Sequence, residues 1–342
     1  MKAAILRAFG RPDVLEFADM PRPEPGPGEL LIRVEAAGLN RLDHYIREGG
    51  VVPDLPFPHI LGSDAVGIVE AKGDEALGFE IGDRVVPMPG YPMDSTDRGA
   101  AVLAASPSYA IRGLVGKGSY AEFMTIPARW AVRAPAGNAA EIAATPMPLV
   151  TGVQAIRRMG EVKAGDRVII HAGASGTGSI MVQIAKVLGA KVAATVRTPE
   201  KRSFVESLGA DVLPMDDSFV DAAREWSGGD GADVIVDNLG GESLARSVDA
   251  LRPLGIAVLM GNVLGLESTI PVRSLFFPQK QIRGTLMGGV EDLSWGLDQV
   301  AAGRIKPTLD KTFTLEQAAK AHERLAAGTA LGSIVFDVAG DS

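Results

Sequence analysis

The chain has 342 residues, with 34 Lys plus Arg against 42 Asp plus Glu and a formal net charge of −8. A hydrophobic fraction of 46% excludes a disordered chain, and the acidic balance argues against nucleic acid or an anionic membrane as a partner. Cysteine is absent, which excludes disulfides, thiolate catalysis and zinc sites that require sulfur. The length favours two domains at about 150 residues each. The N-terminus lacks the apolar core of a signal peptide, so we expect a cytoplasmic protein that contacts no membrane.

The first 125 residues predict short strands separated by turns. Strands are predicted at 30–39, 65–71 and 83–88, and proline and glycine cluster between them at 21–29, 51–58 and 87–92. Short strands with such turns favour an antiparallel β barrel or sandwich.

From about residue 130 the pattern changes to alternating strands and helices. Strands are predicted at 166–172, 191–196, 210–215, 233–240, 255–261 and 281–288, with helices at 178–190 and 200–210. This alternation predicts βαβ units and a parallel sheet. The last 50 residues predict helices near 291–302 and 315–327 and a strand at 332–338. His322 is expected on the solvated face of the second of these helices.

A glycine-rich loop, HAGASGTG at 171–178, joins a predicted buried strand to a predicted helix. Gly173 and Gly178 match the dinucleotide-binding pattern G-x-G-x-x-G, whereas Ser175 replaces its middle glycine. Such a loop lets backbone N–H groups and the helix N-terminus hold a pyrophosphate. We therefore predict that Gly173, Ser175, Gly176, Thr177 and Gly178 bind a dinucleotide, the alternative being glycines needed for packing alone.

The residues after the predicted strand at 191–196 indicate which dinucleotide the chain binds. An Asp or Glu there usually binds the ribose of NAD, but this chain has Arg197 and Thr198, followed by Lys201. Arg197 and Lys201 would pair with a 2′-phosphate, which favours NADPH. The alternative is a solvated helix start, although basic residues are unfavourable there without an anion.

Several segments taken together carry a resemblance to a known family. They are 1–17, 36–49, 57–73, 82–86, 118–123, 148–155, 171–178, 236–241 and 303–336. Over essentially its whole length the sequence resembles the medium-chain dehydrogenase/reductase superfamily, and within it the zinc-free quinone oxidoreductases. The resemblance implies an α/β fold: a GroES-like β barrel domain (1–127 and 289–342) plus a Rossmann doubly wound parallel-sheet domain (128–288). It also implies a nicotinamide cleft at the domain boundary.

The positions that match the zinc ligands of related alcohol dehydrogenases differ here. Asn40, Ser63 and Met147 stand at them, and this set cannot form a tetrahedral zinc site. Leu42 matches the usual hydroxyl relay residue, and the lobe at 88–117 that carries structural cysteines in zinc members has none. We therefore expect no metal, and a lobe that is held by packing alone or is mobile.

Without a metal, hydrogen-bond donors must stabilise the negative charge that hydride addition develops on oxygen. Asn40, Asp43 and Tyr45 match the segment that borders the nicotinamide in quinone oxidoreductases. Asn40 and Tyr45 can donate, whereas Asp43 is better interpreted as an orienting acceptor. The alternatives are that Asn40 caps a helix at 41–47 and that Tyr45 only packs.

Further cofactor contacts are predicted from loops that follow the later strands, because ligands bind at the carboxyl ends of parallel strands. Asn238 follows one strand, and Gly261, Asn262 and Val263 follow the next. In the resembling family the loop that matches Gly261 runs beside the nicotinamide, and Thr151 matches a position on its other side. His171 ends the first strand of this domain and is expected to support the glycine loop.

The sequence thus predicts a zinc-independent oxidoreductase that transfers hydride from NADPH to a quinone or an activated enone or carbonyl. Two alternatives stay open: an NADPH-binding protein with a structural or regulatory role and negligible turnover, and an acyl-CoA enone reductase. The partner expected besides a small-molecule substrate is a second copy of the chain. The strands at 256–260 and 281–287 would leave an apolar sheet edge at which two subunits pair.

Overall fold

The computed structural model describes residues 1–94, 96–97 and 100–340. The strands are β1 (Lys2–Leu6), β2 (Leu15–Asp19), β3 (Glu29–Leu39), β4 (His59–Ile60), β5 (Asp64–Lys72), β6 (Arg84–Pro87), β7 (Gly90–Pro92), β8 (Tyr109–Ile111), β9 (Phe123–Pro127), β10 (Ala131–Arg133), β11 (Arg167–Ile170), β12 (Lys191–Thr195), β13 (Asp211–Leu213), β14 (Ala232–Asp237), β15 (Leu251–Leu259), β16 (Gln281–Gly284), β17 (Leu309–Thr314) and β18 (Ser333–Asp337). The α-helices are α1 (Arg41–Arg47), α2 (Ala139–Ala143), α3 (Pro146–Val153), α4 (Gly176–Val187), α5 (Pro199–Ser207), α6 (Phe219–Trp226), α7 (Glu242–Ala250), α8 (Val272–Phe276), α9 (Val290–Ala301) and α10 (Ala318–Ala327). None of the helices in these ranges is long and apolar enough to cross a bilayer.

The chain forms two compact units. Unit 1 comprises 1–150, 288–301 and 307–342, and unit 2 comprises 151–287 and 302–306. The predicted boundary lay at 127/128, whereas residues 128–150 belong to unit 1 because α2 packs against β3, β5 and β18. Residues 302–306 belong to unit 2, where the backbone N–H of Lys306 donates to Gln183 Oε1 at 2.7 Å.

Unit 1 is built on antiparallel strands from both ends of the chain. Its largest sheet has the order β10-β6-β5-β3-β18-β17, with β9 also on β3; only β17 and β18 pair in parallel within it. β3 is long because its run of buried apolar residues, Leu30–Ile32 and Ala36–Leu39, pairs with three other strands. This arrangement confirms the predicted GroES-like domain.

Unit 2 contains a six-stranded parallel sheet in the order β13-β12-β11-β14-β15-β16. The central strand β11 is buried along Val168, Ile169 and Ile170, as its unbroken apolar run predicts for a strand covered on both faces. Its neighbours are β12 and β14, so the order reverses at β11, which is the Rossmann topology. The predicted doubly wound parallel sheet is confirmed.

The expectation for His322 was wrong. The side chain is fully buried, and its Nδ1 accepts a hydrogen bond from Arg47 Nε at 3.3 Å. α10 packs against β2, β17 and α1, and Ala318, Ala321 and His322 form its buried stripe at helical spacing. Burial lowers the pKa of His322 to about 3, so the imidazole is neutral.

The lobe at 88–117 contains a short antiparallel pair, β7 and β8. Tyr91 stacks on Trp130 with ring centroids 5.9 Å apart, and Arg112 donates to the Tyr91 hydroxyl at 2.7 Å. Residues 95, 98 and 99 of the lobe lie outside the described residues. The stack on Trp130 and the contact of His59 Nε2 with the Gly113 carbonyl at 2.8 Å join this lobe to the rest of unit 1, whereas the hydrogen bond from Arg112 to Tyr91 lies within the lobe.

Candidate active site

The glycine loop of unit 2 connects β11 to α4 through steric and capping contacts. Ser175 caps α4, because its Oγ accepts from the Gly178 N–H at 3.0 Å and donates to the Ala172 carbonyl at 2.9 Å. A Cβ at Gly178 would lie 2.3 Å from that carbonyl, and one at Gly173 would lie 2.4 Å from the Ala194 Cβ. The two glycines are thus required by close packing whether or not a ligand binds. The first N–H groups of a helix lack intrahelical acceptors, so those of Gly176 and Thr177 remain for a phosphate.

His171, at the start of this loop, contacts β12 and α7 through its two ring nitrogens. Its Nδ1 lies 3.0 Å from Thr195 Oγ1 on β12, and its Nε2 lies 2.9 Å from Ser247 Oγ on α7. Ser247 donates to Asp237 Oδ2 at 2.8 Å, so one buried network ties the carboxyl ends of β11, β12 and β14 together. Burial lowers the pKa of His171, which favours the neutral ring. The residue acts as a structural link, as its position in the sequence indicated.

The loops after β14 and β15 lie against each other. A Cβ at Gly261 would lie 2.3 Å from the Asn238 carbonyl oxygen, and Gly240 has a φ of +66° that favours glycine. Asn238 Nδ2 donates to the His171 carbonyl at 2.9 Å, while its Oδ1 is buried and has no partner among the described residues. The structure therefore brings the predicted residues Asn238, Gly261, Asn262 and Val263 together at one edge of the sheet. An orphaned buried acceptor there fits a ligand that carries N–H or O–H donors.

Arg197 and Lys201 lie just beyond the carboxyl end of β12. Arg197 is exposed, and Thr198 caps α5, accepting from the Lys201 N–H at 3.5 Å. Two basic side chains at a helix start are unfavourable for the helix itself, which is consistent with an anion bound there. The next basic residue, Arg202, pairs with Glu206 at 3.7 Å.

Thr151 lies in α3 and is buried. The Cβ that an alanine would place at its neighbour Gly152 would lie 2.7 Å from Ile184 of α4. This segment of α3 therefore packs closely on the helix that begins at the glycine loop.

A small cavity of about 40 Å³ lies beside the same strand ends in unit 2. Met215, Leu239 and Leu264 provide its apolar lining, and Arg246 and Asp216 provide polar groups. No local sequence pattern indicates this cavity, because its lining comes from segments far apart in the chain.

Unit 1 holds a separate polar cluster around Asn40, which precedes α1. Asn40 Nδ2 donates to Asp64 Oδ2 at 2.9 Å and lies 3.4 Å from Ser63 Oγ. The Met147 N–H donates to the other carboxyl oxygen of Asp64 at 2.9 Å. The three positions matched to zinc ligands do come together, but they offer an amide, a hydroxyl and a thioether, which is a poor donor set for zinc. In the ranges that the structure describes, no group of three or more His, Cys, Asp or Glu side chains could hold a metal.

Asp43 is buried and accepts three hydrogen bonds. The donors are the Asn40 N–H at 2.8 Å, the Gly62 N–H at 3.1 Å and the Tyr120 hydroxyl at 2.9 Å. Burial raises its pKa to about 6 despite these donors. These contacts fix the start of α1 to the Gly62 backbone and to Tyr120, and a role of Asp43 in the reaction stays a prediction.

Asp64 and Tyr120 belong to this polar cluster, although neither was predicted from the sequence. Asp64 is fully enclosed, and burial raises the pKa of its carboxyl to about 8, with Asp43 adding like-charge repulsion. The available signal was a lone carboxylate inside the apolar run at 59–69, because such a residue is seldom buried without a specific partner. Tyr45, by contrast, is half-buried, and its ring lies 5.6 Å from that of His44.

Comparison with known proteins places this chain among dehydrogenases. The sequence-family model of the alcohol dehydrogenase GroES-like domain matches residues 26–136. The sequence-family model of the zinc-binding dehydrogenases matches residues 176–302. The chain is 31% identical to a quinone oxidoreductase of Pseudomonas aeruginosa over 96% of its own length and 97% of the relative. It is 30% identical to a 2-haloacrylate reductase of a Burkholderia species, with 98% of each chain covered.

Solved structures show the same likeness. A crystal structure of an NAD-dependent alcohol dehydrogenase matches with a TM-score of 0.94 and 35% identity, covering 99% of this chain and 100% of that one. The quinone oxidoreductase of Coxiella burnetii matches with a TM-score of 0.79 and 27% identity, covering 99% of each chain.

Proposed function

Because this chain belongs to the medium-chain dehydrogenase/reductase superfamily and is quinone oxidoreductase-like, we propose that it is a zinc-independent reductase that transfers hydride from NADPH to quinones or to activated enones and carbonyls. Its oxidoreductase class follows from the family. The observation that carries the finer proposal is the Asn40 cluster, in which an amide, a hydroxyl and a thioether stand at the positions matched to zinc ligands, beside the buried carboxyl of Asp64.

The residues of unit 2 fit a nicotinamide dinucleotide. The N–H groups of Gly176 and Thr177 would hold the pyrophosphate, and Asn238 Oδ1 is an unsatisfied acceptor at the same edge of the sheet. Arg197 and Lys201 would pair with the 2′-phosphate that distinguishes NADPH from NADH. When bound, the cofactor supplies the hydride. The solved alcohol dehydrogenase is NAD-dependent, so the choice of NADPH depends on this basic pair alone.

In unit 1, Asn40 and Tyr45 would stabilise the negative charge that develops on the substrate oxygen. With Asp64 ionised, both N–H groups of the Asn40 amide face Asp64 and Ser63. A pKa of about 8 leaves Asp64 protonated at neutral pH. A neutral carboxyl is a weaker acceptor than a carboxylate, so Asn40 Nδ2 would be held less tightly by Asp64 and could donate to a substrate oxygen. The Tyr45 hydroxyl would be a second donor.

The substrate class is supported by the relatives. Quinones and 2-haloacrylates both carry a carbon–carbon double bond conjugated to a carbonyl or carboxyl group, and these are the substrates named for the two bacterial relatives. Hydride addition to such a bond places negative charge on an oxygen, which hydrogen-bond donors can stabilise without a metal.

The test is NADPH oxidation across a panel of quinones, enones, 2-haloacrylates and acyl-CoA enones, with and without a chelator. We expect turnover that the chelator leaves unchanged and that Asn40→Ala and Tyr45→Phe each lower by about ten- to a thousandfold. Loss of turnover with the chelator would contradict zinc independence. Tight NADPH binding without turnover would favour the structural or regulatory alternative, and a strict preference for acyl-CoA substrates would favour the acyl-CoA reductase.

A further inference from the structure

Unit 1 contains a cavity of about 270 Å³ that none of the residues of the Asn40 cluster lines. One wall is apolar and consists of Ile60, Met93, Phe123 and Met124. Val115, which is 48% exposed, and Lys117 stand at its rim. The volume is close to the lower end of the range for small-molecule pockets, roughly 300 Å³. The cavity is thus large enough for a small organic molecule and has apolar surface for its carbon atoms.

A buried cation lines this cavity. Arg112 is 7% exposed and donates to the Lys117 carbonyl at 3.1 Å and to the Tyr91 hydroxyl at 2.7 Å. Its Nε is buried without a partner, and in the described part of the chain no carboxylate forms an ion pair with its guanidinium. A buried charge without a counter-ion is costly, so this site favours an incoming anion.

Tyr91 extends the guanidinium toward the cavity as a donor. It is 5% exposed, its oxygen accepts from Arg112, and the described residues contain no acceptor for its own proton. Burial raises the pKa of Tyr91, so the phenol keeps that proton. A neutral phenol polarised by a guanidinium is a strong donor to a carboxylate oxygen.

The other charged groups at the cavity partly offset one another. Besides Arg112, the side chain of Lys117 is positive. Glu29 is negative, and its Oε2 accepts from the Gly26 N–H at 2.9 Å. The cations outnumber this one carboxylate, so the field in the cavity favours a single negative charge.

We propose that this cavity binds a small organic carboxylate, whose head group is held by Tyr91 and Arg112 and whose carbon chain lies along Ile60, Phe123 and Met124. The site is independent of hydride transfer and of the cofactor. Its ligand class is a monocarboxylate of a few to about eight carbons, since the lining offers one cationic end and an apolar wall.

Isothermal titration of the full chain with octanoate tests the proposal, with octan-1-ol as the neutral probe of the same length. We expect octanoate to bind and octan-1-ol to bind at least tenfold more weakly, because a charge-assisted hydrogen bond distinguishes the two. Equal affinities, or no binding of octanoate at millimolar concentration, would overturn the proposal.

Variants locate the site. Tyr91→Phe keeps the stack on Trp130 and should weaken octanoate roughly tenfold, and Lys117→Gln should weaken it by a few-fold. Glu29→Gln should leave affinity equal or raise it. Arg112→Gln should abolish octanoate binding. If this variant does not fold, the Tyr91 and Lys117 variants still test the proposal.

Asn40→Ala is the control outside the cavity, and it should leave the octanoate affinity unchanged. If it abolishes binding, or if Tyr91→Phe has no effect, the carboxylate does not bind in this cavity.

Discussion

A carboxyl group that is enclosed on every side, as Asp64 is, stays neutral more readily than one in water. Both of its oxygens accept hydrogen bonds, yet burial raises its pKa to about 8. Asp43, its charged neighbour, has a pKa of about 6 for the same reason. Each folded-state pKa lies above the ordinary value of 3.8, so the folded protein holds protons that the unfolded chain releases.

The lowered pKa of the buried His322 acts in the opposite direction and adds stability as the pH rises to about 6.5. We therefore predict that the contribution of Asp43 and Asp64 to the free energy of unfolding falls as the pH rises from about 4 through 6 to 8, and that Asp64 makes the total fall between about pH 6.5 and 8. The stabilisation is fully present below the unfolded pKa and is lost as each folded-state pKa is passed, by up to about 1.4 kcal/mol per pH unit for each group. Asp64→Asn should flatten the decline between pH 6 and 8, because an amide has the size of the carboxyl and does not titrate, and its oxygen can still accept from the Met147 N–H. Urea unfolding at several pH values measures this, with the exposed Asp221→Asn as control. A wild-type slope that persists in Asp64→Asn would show that Asp64 is ionised in the folded state.

Cofactor choice is also decided at single residues. Replacing Arg197 and Lys201 by Gln should weaken NADPH much more than NADH. Two charge-assisted contacts to phosphate are worth up to roughly two to four orders of magnitude in preference, less where solvent and salt screen them. The preference is measured as the ratio of Kd values for the two cofactors at low and high salt. Arg202→Gln is the matched control, because that side chain is paired with Glu206. A wild type that prefers NADH would contradict the NADPH assignment.

At the scale of elements, the connection from β11 to α4 depends on the absence of a side chain. Its helix start is fixed by Ser175, and the carbonyl of Ala172 lies where a Cβ of residue 178 would be. Backbone atoms cannot move aside as a flexible side chain can. The loop conformation and the position of the free N–H groups at Gly176 and Thr177 are therefore coupled to Gly178.

Gly178→Ala should accordingly lower the free energy of unfolding by about 1–3 kcal/mol and weaken dinucleotide binding, because the loop must shift to relieve the contact. Chemical denaturation and NADPH titration measure the two effects. Gly28→Ala is the matched control, since no atom lies within 4 Å of the added Cβ, and it should stay within about 0.5 kcal/mol of wild type. Unchanged stability in Gly178→Ala would mean that the loop has room that the structure does not show.

At the scale of the whole molecule, the chain segment that precedes the edge strand β16 of unit 2 exposes large apolar side chains. β16 is the last strand of the sheet, and large apolar side chains near it are exposed. They include Leu266 at 87%, Val272 at 75%, Phe277 at 67% and Phe276 at 61% exposure. Monomeric proteins seldom expose so many apolar residues on consecutive segments, and an edge strand offers unpaired backbone groups. We propose that two copies of the chain pair at this edge.

Light scattering at micromolar protein should give the mass of a dimer. Phe277→Glu should shift the mass toward that of a monomer, because a desolvated carboxylate at the interface is costly. Leu77→Glu is the control: Leu77 is 79% exposed but lies in unit 1, so its variant should remain dimeric. A monomeric wild type would contradict the dimer.

Local patterns in the sequence were sufficient for the parallel sheet of unit 2 and for the glycine loop after β11, whereas the GroES-like domain formed from both ends of the chain was implied by the family resemblance. The apolar run of β11, the glycines at 173 and 178 and the alternation after residue 130 act over a few neighbouring residues, so periodicity and turn chemistry predict them. The start of α1 after Asn40 was predicted in the same way.

Only the tertiary structure decided the environments of Asp64, His322 and Arg112. Asp64 meets Asn40 and Met147, His322 meets Arg47, and Arg112 meets Tyr91 across separations of 21 to 275 residues. Burial and the pKa values that follow from it depend on which distant segments cover a side chain. A sequence pattern predicts which face of its own helix or strand is apolar. The desolvation of a side chain on that face, however, depends on every element that packs against it.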